Sequence, residues 1–263
     1  MPGAAAHAKL QSVQVLVRSS ARRVVPLALL AATLAAILAT SAPARAQGLS
    51  LSWQDCRAGI GADDPAYDCS ANINSLDLFP SVRLAARVDS VFAMELVIDV
   101  DVLQDPMPPW WQAPDSCRQS GWSADTVRPL GCRDAWAGRG TASYQGWIPG
   151  TPGGSSRHGR LLVAAVAQPG QMTALGPDTA YSTCRVRLHE SNPLNCPGCT
   201  TPACLVFNSL LIRRLPGSSI EQIFLSSPEA TASTMVTLQG VGADCQAVPV
   251  KRRTWGAVKA LYR

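Results

Sequence analysis

Histidine is scarce in this sequence: His7, His158 and His189 are all there is. A zinc-protease helix needs two histidines around a glutamate. His189-Glu190 begins that pattern, but Ser191-Asn192-Pro193 follows and no second histidine arrives. A Gly-x-Ser-x-Gly turn is missing too, as is a glycine-rich phosphate loop, so the usual serine-hydrolase elbow and nucleotide cradle are excluded. No D-x-D-x-D-G loop occurs, and no long stretch carries a helical period. Beyond residue 46, lysine is reduced to Lys251 and Lys259.

Excess charge is also absent once the N-terminus is set aside. Arg18, Arg22 and Arg23 precede Val24–Thr40, which is almost wholly apolar, and Ala44-Arg45-Ala46 supplies small residues around a cleavage point. A basic region, an apolar core and an A-x-A site predict a signal peptide over 1–46. As a retained anchor the apolar stretch is at the short limit for a bilayer, and Pro26 favours removal. Cleavage removes five basic residues and no acid. That leaves 18 basic residues of the 23 against 18 acids. A neutral body offers no general attraction to nucleic acid or anionic lipid. The expectation is one domain over 47–263, exported to the periplasm, cell surface or medium, with no membrane span after cleavage.

All nine cysteines lie in that domain. Export meets an oxidising environment, so disulfides are the default, and an odd count leaves one thiol. Nearness in sequence pairs Cys56 with Cys69 and Cys117 with Cys132. Cys196, Cys199 and Cys204 crowd into a knot broken by Pro197, Gly198 and Pro202. Two of the three are expected to be joined, with one bridging outward to Cys245. Cys184, on an apolar strand face with Val186 and Leu188, is expected to be the odd thiol. Zinc held by the knot with Cys184 or Cys245 is the competing reading. A redox pair at Cys196-x-x-Cys199 lacks the helix that would activate a thiol.

The rest of the chain reads as short strands. Met94, Leu96, Ile98, Val100 and Val102 alternate with Glu95, Val97, Asp99, Asp101 and Leu103. Period two with acids on one side predicts a strand buried on one face and solvated on the other. Further strands are predicted at Leu76–Phe79 (ended by Pro80), 141–148, 161–167, 203–212, 220–225 and 234–239. Pro149–Gly159 is expected to be a mobile surface loop. About eight short strands predict an all-β fold: an antiparallel β-sandwich, immunoglobulin/fibronectin-like or jelly roll, with disulfide-held loops. Thr254 can cap a short C-terminal helix placing Trp255, Val258 and Tyr262 on one side.

Two stretches carry resemblances. Leu175-Gly176-Pro177-Asp178-Thr179-Ala180-Tyr181 resembles the tyrosine corner of fibronectin type III domains. In that corner the hydroxyl bonds to upstream backbone and fixes a turn between sheets. Thr254-Trp255-Gly256-Ala257-Val258-Lys259-Ala260-Leu261-Tyr262-Arg263 resembles the end of a group of uncharacterised exported bacterial proteins. Pro108 to Trp111, the knot and Asn208-Ser209 are similar to segments of the same group. The resemblance implies an exported domain and no activity.

Candidate sites remain few. Trp110, Trp111, Trp122, Trp136 and Trp147 fall close together and could form a carbohydrate-stacking platform, or fill the core under a disulfide-held loop. Asp99 with Asp101, or Asp63, Asp64 and Asp68, could hold calcium, though strand acids are more often simply solvated. Ser155 or Ser156 beside His158 could be imagined as a catalytic pair, but a mobile loop holds such a pair badly. The sequence therefore predicts an exported structural or binding module, with no cofactor and a protein or glycan partner at the cell surface. A Trp-based glycan binder is second and a hydrolase third.

Overall fold

The computed structural model describes residues 47–53, 55–56, 64–70, 75–112, 117, 121–189, 196–228 and 233–240, all within one compact unit spanning 45–263. The signal-peptide and C-terminal-helix expectations fall outside these residues. Thirteen strands and no helix occur among the described residues. In chain order they are β1 Gly48–Trp53, β2 Ser75–Arg83, β3 Val88–Val102, β4 Trp122–Asp125, β5 Arg133–Asp134, β6 Gly140–Pro149 and β7 His158–Ala167. There follow β8 Thr173–Leu175, β9 Ala180–Ser182, β10 Arg185–His189, β11 Ala203–Arg214, β12 Glu221–Leu225 and β13 Met235–Leu238.

They form two sheets, an antiparallel-rich β-sandwich with disulfide-held loops. In the first, β2 pairs with β1 on one edge and with β9 and β10 in succession on the other; β5 and β4 lie beyond these. In the second, β3 is central. It pairs with β11 on one edge and with β7 and β8 on the other; β6 flanks β7, while β12 and β13 flank β11. Met94, Leu96, Ile98, Val100 and Val102 of β3 enter the core, where they join Leu49, Leu51 and Leu78 of the first sheet. The outer edge of β1 is covered by the segment after β12, through Leu49 N to Ser227 O (2.9 Å) and Leu51 N to Ser233 O (2.8 Å). That cover blunts an edge that could otherwise template pairing.

β2 does not end at Pro80. Proline cannot donate to a ladder, and here it needs no donor, because the neighbouring chain passes from β9 to β10 beside it. Thr183 fills the gap, donating both its N–H (3.0 Å) and its hydroxyl (2.7 Å) to the Pro80 carbonyl. At the turn before β9, Gly176 N–H donates to the Tyr181 hydroxyl at 2.9 Å.

The expected cysteine pairing is wrong in both local loops. Cys56 bonds Cys132, Cys69 bonds Cys199 and Cys117 bonds Cys196. Nearness in sequence misleads because loops distant in the chain meet: two of the bonds end on the knot, and the third joins Cys56 to Cys132 away from it in sequence. Gly198, at φ +105°, lies so close to Pro108 that an added Cβ would fall 2.3 Å from the proline ring. Trp110 N–H donates to Pro197 O (3.1 Å) and Trp111 Nε1 to Thr201 O (3.3 Å), seating the knot on residues 107–112. Cys196 and Cys199 therefore each reach a different loop, and no bond forms within the knot. Cys204 is also disulfide-bonded; Cys245 lies outside the described residues. The separations of 76, 79 and 130 residues raise each bond's stabilisation to about 4–5 kcal/mol on the chain-entropy model, from about 3 for the local pairs. Cys184 is the free, buried thiol.

Candidate functional site

The tryptophan platform does not form. Trp110, Trp111, Trp122 and Trp136 are all buried in the core, and Trp147 packs against it half-buried. Their polar edges turn inward: Trp136 Nε1 donates to Thr183 O at 2.6 Å. Trp110 stacks edge-on against Trp111 (4.8 Å between centroids) and tilts against Tyr67 (5.8 Å), making an aromatic plug beneath the knot. Trp147 covers Gly159, where a Cβ would meet the ring at 1.9 Å. Rings whose faces are enclosed cannot stack on a sugar.

The zinc reading fails on chemistry, and the acids offered for calcium have partners of the protein's own where they are described. Asp64 accepts the Gly240 N–H (2.9 Å) and Asp68 the Ser70 N–H (2.9 Å), so both serve as turn acceptors; Asp63 lies outside the described residues. The sulfurs of Cys196, Cys199 and Cys204 are consumed in disulfides. Asp99 and Asp101 are committed to cations of the protein itself.

That last fact defines a buried polar cluster among the described residues. Because the even positions of β3 fill the core, Asp99 and Asp101 project from the opposite face of the second sheet. They are not solvated, as the alternation suggested, but 0% and 3% exposed. Antiparallel register sets Asp99 opposite Arg160 and Asp101 opposite His158 on β7. Arg160 grips Asp99 with two bonds, Nε to Oδ1 at 2.6 Å and Nη2 to Oδ2 at 2.9 Å. A bulge in β11 between Phe207 and Ser209 re-aims Asn208, which donates to Asp99 Oδ2 at 2.5 Å. Arg157 reaches Asp101 through Nη2 (3.1 Å) and Nε (3.0 Å). His158 Nε2 stands 3.3 Å from Asp101 Oδ1, and its Nδ1 is 2.6 Å from Pro152 O. Burial pushes the Asp99 carboxyl above the usual carboxylate range. The bonds and charge of Arg160, the Asn208 amide and the charge of His158 pull the other way without reversing it.

Sequence reasoning put His158 in a mobile surface loop. It heads β7 and is buried, and the loop before it is a turn held by Gly150, Gly153 and Gly154 at positive φ. Ser156 bonds Asp105, so it is not the partner of His158. The other histidine does meet a serine: His189 Nε2 lies 2.5 Å from Ser123 Oγ on the outer face of the first sheet. On the same face Asp77 is bound to Arg185 and Arg187, and Asp125 to Arg185. Arg157, Arg160 and Asn208 were missed. The His158-x-Arg160 spacing, two residues apart at a strand start, was the signal that could have found two of the cluster's members.

A groove of about 370 Å³ continues along the same outer face, lined by Glu95, Gln145, Leu162, Ala164 and Val166. Val166 at its end is 41% exposed. Cluster and groove together make this face of β3 and β7 polar at one end and apolar at the other.

No protein-family model matches the chain, and no curated protein does. Among solved structures, AvmM, described as catalysing macrocyclization in alchivemycin A biosynthesis, gives a TM-score of 0.30. It is 12% identical, over 71% of this chain and 92% of that one. A likeness that slight carries no argument about fold or activity.

Proposed function

We propose that the chain is an exported, disulfide-stapled β-sandwich that serves as a structural or binding module at or beyond the cell envelope. The observation that carries this reading is the set of long-range disulfides, Cys56–Cys132, Cys69–Cys199 and Cys117–Cys196, which tie together loops distant in sequence. Such bonds persist in oxidising compartments. The N-terminal leader pattern supports the same route. The buried acids support a structural rather than catalytic role, since each is held by an arginine instead of facing a cleft. The groove ending at Val166 is the surface offered to a protein partner.

Fractionation of the source cells with N-terminal sequencing and a thiol count tests the reading. The expected protein lies outside the cytoplasm and begins near Gln47. It shows no reactive thiol when folded and a single one, Cys184, once denatured, because burial pushes that thiol up to about 12. Recovery from the cytoplasm with residues 1–46 attached and thiols reduced would sink it.

A further inference from the structure

Most of the described arginines are answered by the protein's own carboxylates. Arg87, Arg157, Arg160, Arg185, Arg187, Arg213 and Arg214 each hold an aspartate or a glutamate. Arg128 and Arg133 do not. Arg128 donates Nη1–H to the Cys132 carbonyl at 2.8 Å, and the rest of its guanidinium fork is unused. Arg133, on β5, is exposed and makes no hydrogen bond or ion pair among the described residues.

These two arginines line one hollow of about 650 Å³ at the β5–β9 edge of the first sheet, with Asp134, Ala137, Gly138 and Tyr181. Parallel register sets Arg133 opposite Tyr181. The turn between the arginines is fixed: Cys132 N–H donates to Pro129 O (3.4 Å), Gly131 takes a φ of 82°, and Cys132 is bonded to Cys56. The carboxylate in the wall is occupied by backbone. Asp134 Oδ1 accepts the Trp136 N–H (2.7 Å) and Oδ2 the Gly138 N–H (2.5 Å), so neither oxygen bonds an arginine. Ala137 and Gly138 follow in left-handed conformation, at φ 51° and 76°, and shape the opposite side.

Two guanidinium groups facing one hollow repel each other, and an anion between them relieves both. Their forks match the paired oxygens of a carboxylate or a phosphate. The volume falls in the range of about 300–1,000 Å³ found for small-molecule sites, well beyond the needs of an inorganic ion, so the anionic group belongs to an organic molecule. We infer that this hollow binds a small organic anion, its carboxylate or phosphate oxygens held by Arg128 and Arg133. The site shares no residue with the groove that ends at Val166, and it stands whether or not the module reading of the sandwich holds.

Citrate and inorganic phosphate, titrated separately into the oxidised protein at low salt and neutral pH, test it by NMR of the arginine Nε–H and backbone amide signals. At least one of them should move the Arg128 and Arg133 signals saturably below roughly 10 mM, while Arg87 and Arg214, which hold carboxylates, stay put. Citrate alone would assign a carboxylate ligand, phosphate alone a phosphate ester, and both the shared oxygen fork; each supports the inference. Arg133→Ala should weaken binding at least about tenfold, the worth of a charge-assisted hydrogen bond. Arg139→Ala, whose wild-type Nη1 already bonds Gln171 Oε1 (2.9 Å), should change it by less than about twofold. If a variant fails to fold, the wild-type pattern of shifts still decides. No saturable shift with either anion, shifts as large at Arg87 as at Arg133, or undiminished binding in Arg133→Ala would each overturn the inference.

Discussion

The outer faces of the two sheets carry the same chemistry in different surroundings. On the first sheet, Arg185 bridges Asp77 and Asp125, and Arg187 holds Asp77; side-chain exposures there run from 14% to 42%. On the second, Arg160 holds Asp99 with 7% and 0% exposed. Both networks are bidentate and built across strand registers, Arg185 opposite Asp125 and Asp99 opposite Arg160. Their titration runs in opposite directions. Burial raises Asp125, but the Arg185 bond, the Val127 N–H and two arginine charges outweigh it, and the carboxyl ends below the usual range. For Asp99 burial wins. The same ion pair is thus a surface ornament on one sheet and an interior commitment on the other. What differs is the burial of the pair.

The largest effect should come from breaking the buried pair. Asp99→Ala leaves the Arg160 charge buried without its partner, and urea unfolding at neutral pH should show a loss of about 3–5 kcal/mol. Replacing both, as Asp99→Leu with Arg160→Met, removes the desolvation cost along with the attraction. The remaining loss should be about 1–3 kcal/mol, the cost of an Asn208 amide left without Asp99. A double variant no better than the single one would mean that the pair itself, not its burial, sets the energy.

The comparison also explains what the sequence could reveal. Met94 to Val102 announced a strand and sorted its faces, because alternation is local. Alternation does not say what lies above a face, so Asp99 and Asp101 looked solvated when they are enclosed. Arg160 becomes their partner only through a β3–β7 register, and Asn208 only through a bulge in β11; neither is written in any short window. The cysteines show the same limit. Cys184 was identifiable from its apolar strand neighbours. Cys56–Cys132 was not, because the pairing depends on which loops meet. The tryptophans were ambiguous by composition alone; the burial of four of the rings and the inward ring bonds of Trp111 and Trp136 decide for the core. Pro80 looked like a strand end because a missing donor usually is one; Thr183 makes it harmless.

pH separates the two faces in sign. Asp125 has a depressed folded value, so its contribution is present above the ordinary carboxylate range and is lost as pH falls through that lowered value. Asp99 has a raised one, so its contribution is fullest in acid below the ordinary range and is lost as pH rises through the raised value. Unfolding measured from acid to neutral pH should therefore flatten at its acid limb in Asp125→Asn, and lose a decline at higher pH in Asp99→Asn. Salt should make the smallest difference. At 1 M the screening length is about 3 Å, so the cost of Asp125→Ala should shrink toward zero while that of Asp99→Ala should persist.

The claim beneath all of this is that the Asp99–Arg160 end of the second sheet's outer face is interior and the outer face of the first sheet is surface. It is tested most directly by urea unfolding of Asp99→Ala and Asp125→Ala in the same buffer at neutral pH. The prediction is a loss of about 3–5 kcal/mol for Asp99→Ala and no more than about 1 kcal/mol for Asp125→Ala. Equal losses, or a larger one at Asp125, would contradict it.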